Sequence, residues 1–200
     1  MNYVEALLPD VMFRASDVPD TILRSAIRDG VREFLRESEV WRPEIEPVYT
    51  FGDINRFEIF LPWSARIARV YWVRVENREL DFLDTSEFEA DQTEGCLISN
   101  HHPHELMLTS VTPRGWVTLA AALTPNADED CMPEHLIHDF KDPLVASALL
   151  RIYGMPGNGW FSEEIAGYYQ ATLRNALLRG KRLVNNRRKE QRRTVKYGGL

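Results

Sequence analysis

PDTILRSAIRDGVREFLRESEVW, residues 19–41, decides how the rest of the chain must be read. Ile22, Leu23, Ala26, Ile27, Val31, Phe34 and Leu35 recur at the spacing of an amphipathic helix. Asp17 is the expected N-cap, with Pro19 in the permissive first turn. Pro43 closes the segment. Gly30 costs a helix interior about 1 kcal/mol relative to Ala, so it marks a place where another element packs closely. A helix with one apolar face needs a partner to cover it.

The other end of the sequence supplies the partner. MPEHLIHDF reads as a short helix led by Pro133, and Pro143 starts a further helix, with Asp142 as its cap, through LVASALLRIYG. The segment from Gly154 to Gly159 is a loop. Ser162 caps the longest helix, from Glu163 to Asn186, whose stripe is Ile165, Ala166, Tyr169, Leu173, Ala176, Leu177, Leu183 and Val184. Burying the terminal stripes against each other is the most economical solution.

Between them the period changes. PVYTF, RFEIFLP, RIARVYWVRVEN, ELDFL, HELMLTS and WVTLAAALTP are short, rich in β-branched and aromatic residues, and separated by turn signals at Gly52-Asp53, Asn77, Gly95, Asn100–Pro103 and Pro113–Gly115. Phe57, Ile59 and Leu61 alternate as a strand does. Val117, Leu119, Ala121 and Leu123 form a core face, backed by the small residues Thr118, Ala120 and Ala122. The expected class is α+β: a helical bundle from residues 1–44 and 126–186, an antiparallel sheet or sandwich inserted at 45–125, and an extended C-terminal arm at 187–200.

The chain has 200 residues, 44% of them hydrophobic, enough for a core of its own. No apolar run approaches the roughly 20 residues that span a bilayer, and the first residues lack the pattern of a secretory leader, so the chain reads as a cytoplasmic product with no membrane partner. Cys96 and Cys131 are far apart with no CxxC pairing, against a disulfide framework or structural zinc. The net charge of −6 is unevenly placed. Residues 181–200 carry eight bases against Glu190 alone, +7; the remaining 180 residues carry 16 bases and 29 acids, −13. Arg187, Arg188, Lys189, Arg192, Arg193 and Lys196, with Tyr197, make the arm an interaction segment, for a protein socket, for nucleic acid, or as a solubilising tail.

The search for chemistry finds no catalytic constellation. GMPGNGWF lacks the Lys of a P-loop, and no GxSxG elbow occurs. His101, His102 and His104 lie on a turn whose extended backbone makes neighbouring side chains diverge, so an exposed turn is the better reading than a metal site. His135 and His138 share a helix face but have no obvious third ligand. The run Asp81, Asp84, Glu87, Glu89, Asp91, Glu94 lacks a calcium-loop glycine and reads as a solvated loop or channel lining. No cofactor is expected. Arg24, Arg28, Arg32 and Arg36 recur every four residues, either as a solvated mixed-charge face or as a contact with an acidic neighbour in an oligomer.

Three segments, residues 19–48, RFEIFLPWSARIARVYWVRVENREL and MPEHLIHDFKDPLVASALLRIYGMPGNGWFSEEIAGYYQATLRNAL, resemble the head-to-tail adaptor proteins of short-tailed bacteriophages. They are similar to that family's first helix, its strand–Pro–strand lead into a β region, and its closing helix pair across a Pro/Gly/Trp loop. The resemblance implies a structural, non-enzymatic virion protein at the head–tail junction. It implies a homo-oligomeric ring, typically of about twelve subunits closed by rotation, beneath the portal protein. Tail or nozzle proteins would meet its β region, and the genome would pass through its channel. The arm would contact the portal or a neighbouring subunit, and the arginine stripe is the candidate ring contact. The alternatives are a nucleic-acid-binding protein that uses the arm, and a tail-completion protein.

Overall fold

A computed structural model describes residues 1–51, 56–62, 64–76, 78–82, 95–98, 105–109 and 114–191, with backbone alone for 56–57, 81–82, 95–98, 105–109 and 185–191. The chain is mixed helix and sheet, an α+β protein, and divides into two compact units. One is Met1–Val40 with Pro133–Leu200; the other is Trp41–Met132.

The first unit is helical: α1 (Tyr3–Arg14), α2 (Asp20–Ser38), α3 (Glu134–Asp139), α4 (Lys141–Tyr153) and α5 (Glu163–Gln191). α4 packs against α1, α2, α3 and α5. The stripe of α2 is buried as its spacing predicts except for Ile22, which is exposed; Leu23, Ile27, Val31 and Leu35 are fully covered, each contributing roughly 2 kcal/mol. The close approach expected at Gly30 is present: a Cβ there would stand 2.8 Å from the Ala148 nitrogen and the Ser147 hydroxyl of α4. Phe34 meets Phe140 at 5.7 Å between ring centres.

Several local readings need correction. α1 went unrecognised because Pro9 sits inside it, where proline removes a backbone donor. Its burial of Tyr3, Val4, Leu7 and Val11, and an Asn2 cap that accepts from the Glu5 N–H at 3.0 Å, offset that loss. Asp17 does not cap α2; Pro19 holds that position without a side-chain bond, and the helix ends on left-handed Glu39, whose N–H donates to the Leu35 carbonyl. α4 begins at Lys141, ahead of the expected Asp142 cap. Ser162 does precede α5, accepting from the Ile165 N–H at 3.4 Å. α5 runs on past Asn186 to Gln191, so Arg187, Arg188 and Lys189 lie in helix and not in an extended arm. Arg, Lys, Glu and Gln are strong helix formers, and cations suit the negative end of the helix dipole. Ile165 and Leu183, read as core, are exposed, while Tyr169 and Val184 are buried.

The second unit is a sheet of β1 (Val48–Thr50), β2 (Arg56–Glu58), β3 (Ala65–Val75), β4 (Arg78–Phe82), β5 (Gly95–Ile98), β6 (Glu105–Thr109) and β7 (Gly115–Pro125). Its order among the described strands is β1-β7-β3-β4-β5-β6-β2. Every pair is antiparallel except β4–β5, which is parallel. The sequence reading missed β5 and treated Gly95 as a turn. Residues 83–94, which connect β4 to β5, reach the dozen that a parallel crossover needs. β2 stops at Glu58, short of the expected alternation through Leu61. Val117, Leu119, Ala121 and Leu123 are buried as expected. Their partners across the ladder include the buried Val73 and Val75 of β3.

Candidate interaction surfaces

The arginine stripe of α2 is largely engaged inside its own unit. The Arg24 guanidinium bridges Glu5 of α1 at 2.6 Å and Asp20 at 2.7 Å. Those bonds, Glu5 first, raise its pKa further above its ordinary value. Arg32 lies 3.6 Å from Asp29 with its side chain 14% exposed. Arg28 is half-buried and also interacts within the chain. Arg36, near the end of α2, is exposed. The stripe therefore binds α2 to α1 at one end and reaches solvent at the other.

α5 carries a second charge feature. From Ile165 to Lys189 it holds seven bases and no acid. Arg174, Arg179, Lys181 and Arg182 are exposed, as are Leu178 and Leu183 between them. Arg192, Arg193, Lys196 and Tyr197 lie outside the described residues.

At the start of α5, the loop after α4 is fixed to the α1–α2 connection. The Tyr153 hydroxyl donates to the Arg14 carbonyl at 2.7 Å, and the Trp160 indole N–H donates to the Asp17 carbonyl at 3.2 Å. Burial pushes the Tyr153 phenol above its usual range. Tyr153 stacks on Tyr169, which meets Tyr168 edge-on. Phe13 is 88% exposed and Tyr168 66%, with Phe161 and Met155 also open to solvent. Large exposed apolar side chains are candidates for contact surfaces.

The sheet unit bears a feature that the sequence reading overlooked. Residues paired across a ladder share a face. Tyr49 pairs with Trp116, Thr118 with Arg74, Arg74 with Glu79, and Ala120 with Trp72. These line the face opposite Val117, Leu119 and Ala121. Tyr49 meets both Trp116 and Phe51 edge-on at 5.1 Å, and accepts from the Arg114 guanidinium at 3.2 Å. The Arg74 guanidinium lies 4.5 Å from the Trp72 ring centre and pairs with Glu79 at 2.9 Å. Arg42 lies 3.8 Å over Tyr71, whose hydroxyl it also contacts, with Arg69 at 5.8 Å from the same ring. The available signal was Trp72 and Trp116, each one residue from a core position of its strand.

The remaining candidates do not converge. The His101–His104 turn lies outside the described residues, as do Asp84, Glu87, Glu89, Asp91 and Glu94; Asp81 and Cys96 are described by backbone alone. His138 lies 3.3 Å from Glu134 on the exposed face of α3, and Cys131 is half-buried. Among the described residues no group of three or more His, Cys, Asp or Glu is placed to hold a metal ion. No described helix is long and apolar enough to cross a membrane. No protein family model and no curated protein matches the chain.

Proposed function

We propose that this chain is a structural virion protein of a tailed bacteriophage, a head-to-tail adaptor that forms a ring under the portal and joins it to the tail. In this reading it is not an enzyme and needs no cofactor. The helices of the first unit are one bundle, the β unit is a sheet or small sandwich inserted in the chain between α2 and α3, and residues beyond α5 are an arm. The observation that carries the reading is the chain order: α1 and α2 share a unit with α4 and α5, and Trp41–Met132 form a separate β unit between them. That order matches the segments whose residues resemble the adaptor family. The distribution of charge supports it. An acidic body repels the genome and lets it pass, while a cationic helix end suits a carboxylate-lined socket on the portal. A ring closed by rotation needs two different complementary patches per subunit. The exposed apolar side chains of the helical unit, such as Phe13 and Tyr168, and the aromatic outer face of the sheet would supply two such patches of different character.

The genetic test is direct. Particles assembled without this polypeptide should accumulate as heads that lack tails. Tailed, infectious particles made in its absence would end the proposal. The seven bases of α5 favour one second reading, a nucleic-acid-binding protein. It requires DNA affinity that falls steeply with salt.

A further inference from the structure

We infer that the outer face of α5 pairs with an amphipathic helix of another protein, one whose flanks are acidic. This rests on the residues of α5 and holds whatever the chain does in a virion, so its test is independent of the adaptor reading.

The first ground is spacing. Tyr168, Ala171, Asn175, Leu178 and Arg182 recur at alternating intervals of three and four residues, which sets them in one line along a helix. That line faces away from the helical unit. Tyr169, Gly180 and Val184 are buried on the opposite side, where α5 packs on α2 and α4, and a Cβ at Gly180 would stand 3.1 Å from the Val40 side chain. All five residues of the outer line are exposed, Tyr168 by 66% and Leu178 by 50%. A line at this spacing is one half of a helix–helix contact, and a polar residue within it, here Asn175, fixes the register of the pair.

The second ground is charge. Arg174 and Lys181 border the line on one side and Arg179 on the other, the positions from which paired helices select each other by charge. All three are exposed, as is Arg182, and among the described residues none of the four meets an acid. Their N–H groups are open to the carboxylates of a partner.

The third ground separates this partner from other occupants. Residues 165–189 hold seven bases and no acid, so a second copy of the face would set like charges along the seam. Nucleic acid would engage the bases through its phosphates, but it would leave Ala171 and Leu178, in the middle of the face, against a charged backbone with no apolar cover. A helix with an apolar seam and acidic borders satisfies both the line and its flanks.

The test uses the full chain and four fluorescent probes: a helical peptide with Leu at both seam positions of each heptad and Glu at both borders, its Lys-for-Glu counterpart, a scrambled Glu peptide, and duplex DNA. The Glu helix should bind, and the Lys helix and the scrambled peptide should not. Leu178→Asp, and Arg174→Glu combined with Lys181→Glu, should each weaken that binding about tenfold or more, while the charge-keeping Arg174→Lys should retain it. Should Leu178→Asp fail to fold by circular dichroism, the charge reversal and Arg174→Lys carry the test, since Arg174 and Lys181 are exposed. Several results overturn the inference: no binding of the Glu helix, equal binding of the Lys helix or of the scrambled peptide, preference for DNA, indifference to the substitutions, or self-association through α5 that the Glu helix cannot displace.

Discussion

Glu76 and Trp116 hold each other through two hydrogen bonds of opposite sense. The Glu76 N–H donates to the Trp116 carbonyl at 2.8 Å, and the Trp116 N–H donates to the Glu76 carboxylate at 2.9 Å. Glu76 adopts φ 54°, a left-handed conformation that few side chains accept, at the turn from β3 to β4. The bonds fix the end of β7 beside that turn and orient the strand that carries Trp116.

Gly115 makes this arrangement possible. Its φ is 155°, and a Cβ would stand 2.5 Å from the Glu76 side chain. Gly115→Ala should therefore lower stability by about 2 kcal/mol. The denaturant midpoint checks this; an unchanged midpoint would contradict the geometry.

Gly30→Ala tests the contact of α2 with α4. Alanine improves helix propensity by about 1 kcal/mol, but the added Cβ meets the Ala148 nitrogen and the Ser147 hydroxyl at 2.8 Å. Overpacking should win by about 1–3 kcal/mol. Adding Ser147→Ala should restore only part of the loss, because the Ala148 backbone cannot be trimmed. Thermal unfolding of the two variants gives the answer.

The fold was legible where one pattern ran long enough to dominate. The α2 stripe and Gly30 announced both the helix and its close neighbour, and Val117 to Leu123 announced a core strand. What stayed hidden depended on distant partners. Pro9 masks α1 locally, and packing against α2 and α4, together with the Asn2 cap, keeps that helix whole. β5 is four residues long and pairs in parallel with β4 across twelve intervening residues, which no local signal encodes. The same holds for the surfaces. The spacing of the arginines was visible, but Glu5 as the partner of Arg24 was not, and the sheet register alone brings Tyr49 beside Trp116.

Arg24 and Arg36 should behave differently. Arg24→Ala removes two ion pairs within the helical unit, so a small, salt-screened fall in melting temperature is expected. Arg36→Glu should leave unfolding unchanged and instead reduce ring formation, as expected of an exposed contact residue. Calorimetry and sedimentation separate the two effects. Loss of stability in Arg36→Glu with normal rings would reverse the assignment.

Removing residues 192–200 should leave α5 and both units folded, because the buried side chains described for both units all lie at or before Val184. Far-ultraviolet circular dichroism should be nearly unchanged, while capture of the shortened chain by portal rings should fall. If its main loss were instead salt-sensitive DNA binding, the nucleic-acid reading would take precedence.

The measurement closest to the central claim is electron microscopy of purified portal rings mixed with this chain. The adaptor account predicts an added layer of density of matching rotational symmetry on one side of the portal, continuous with its channel, whether or not the free chain is monomeric. Portal rings that emerge bare, from a mixture in which the chain is folded and in excess, would contradict it.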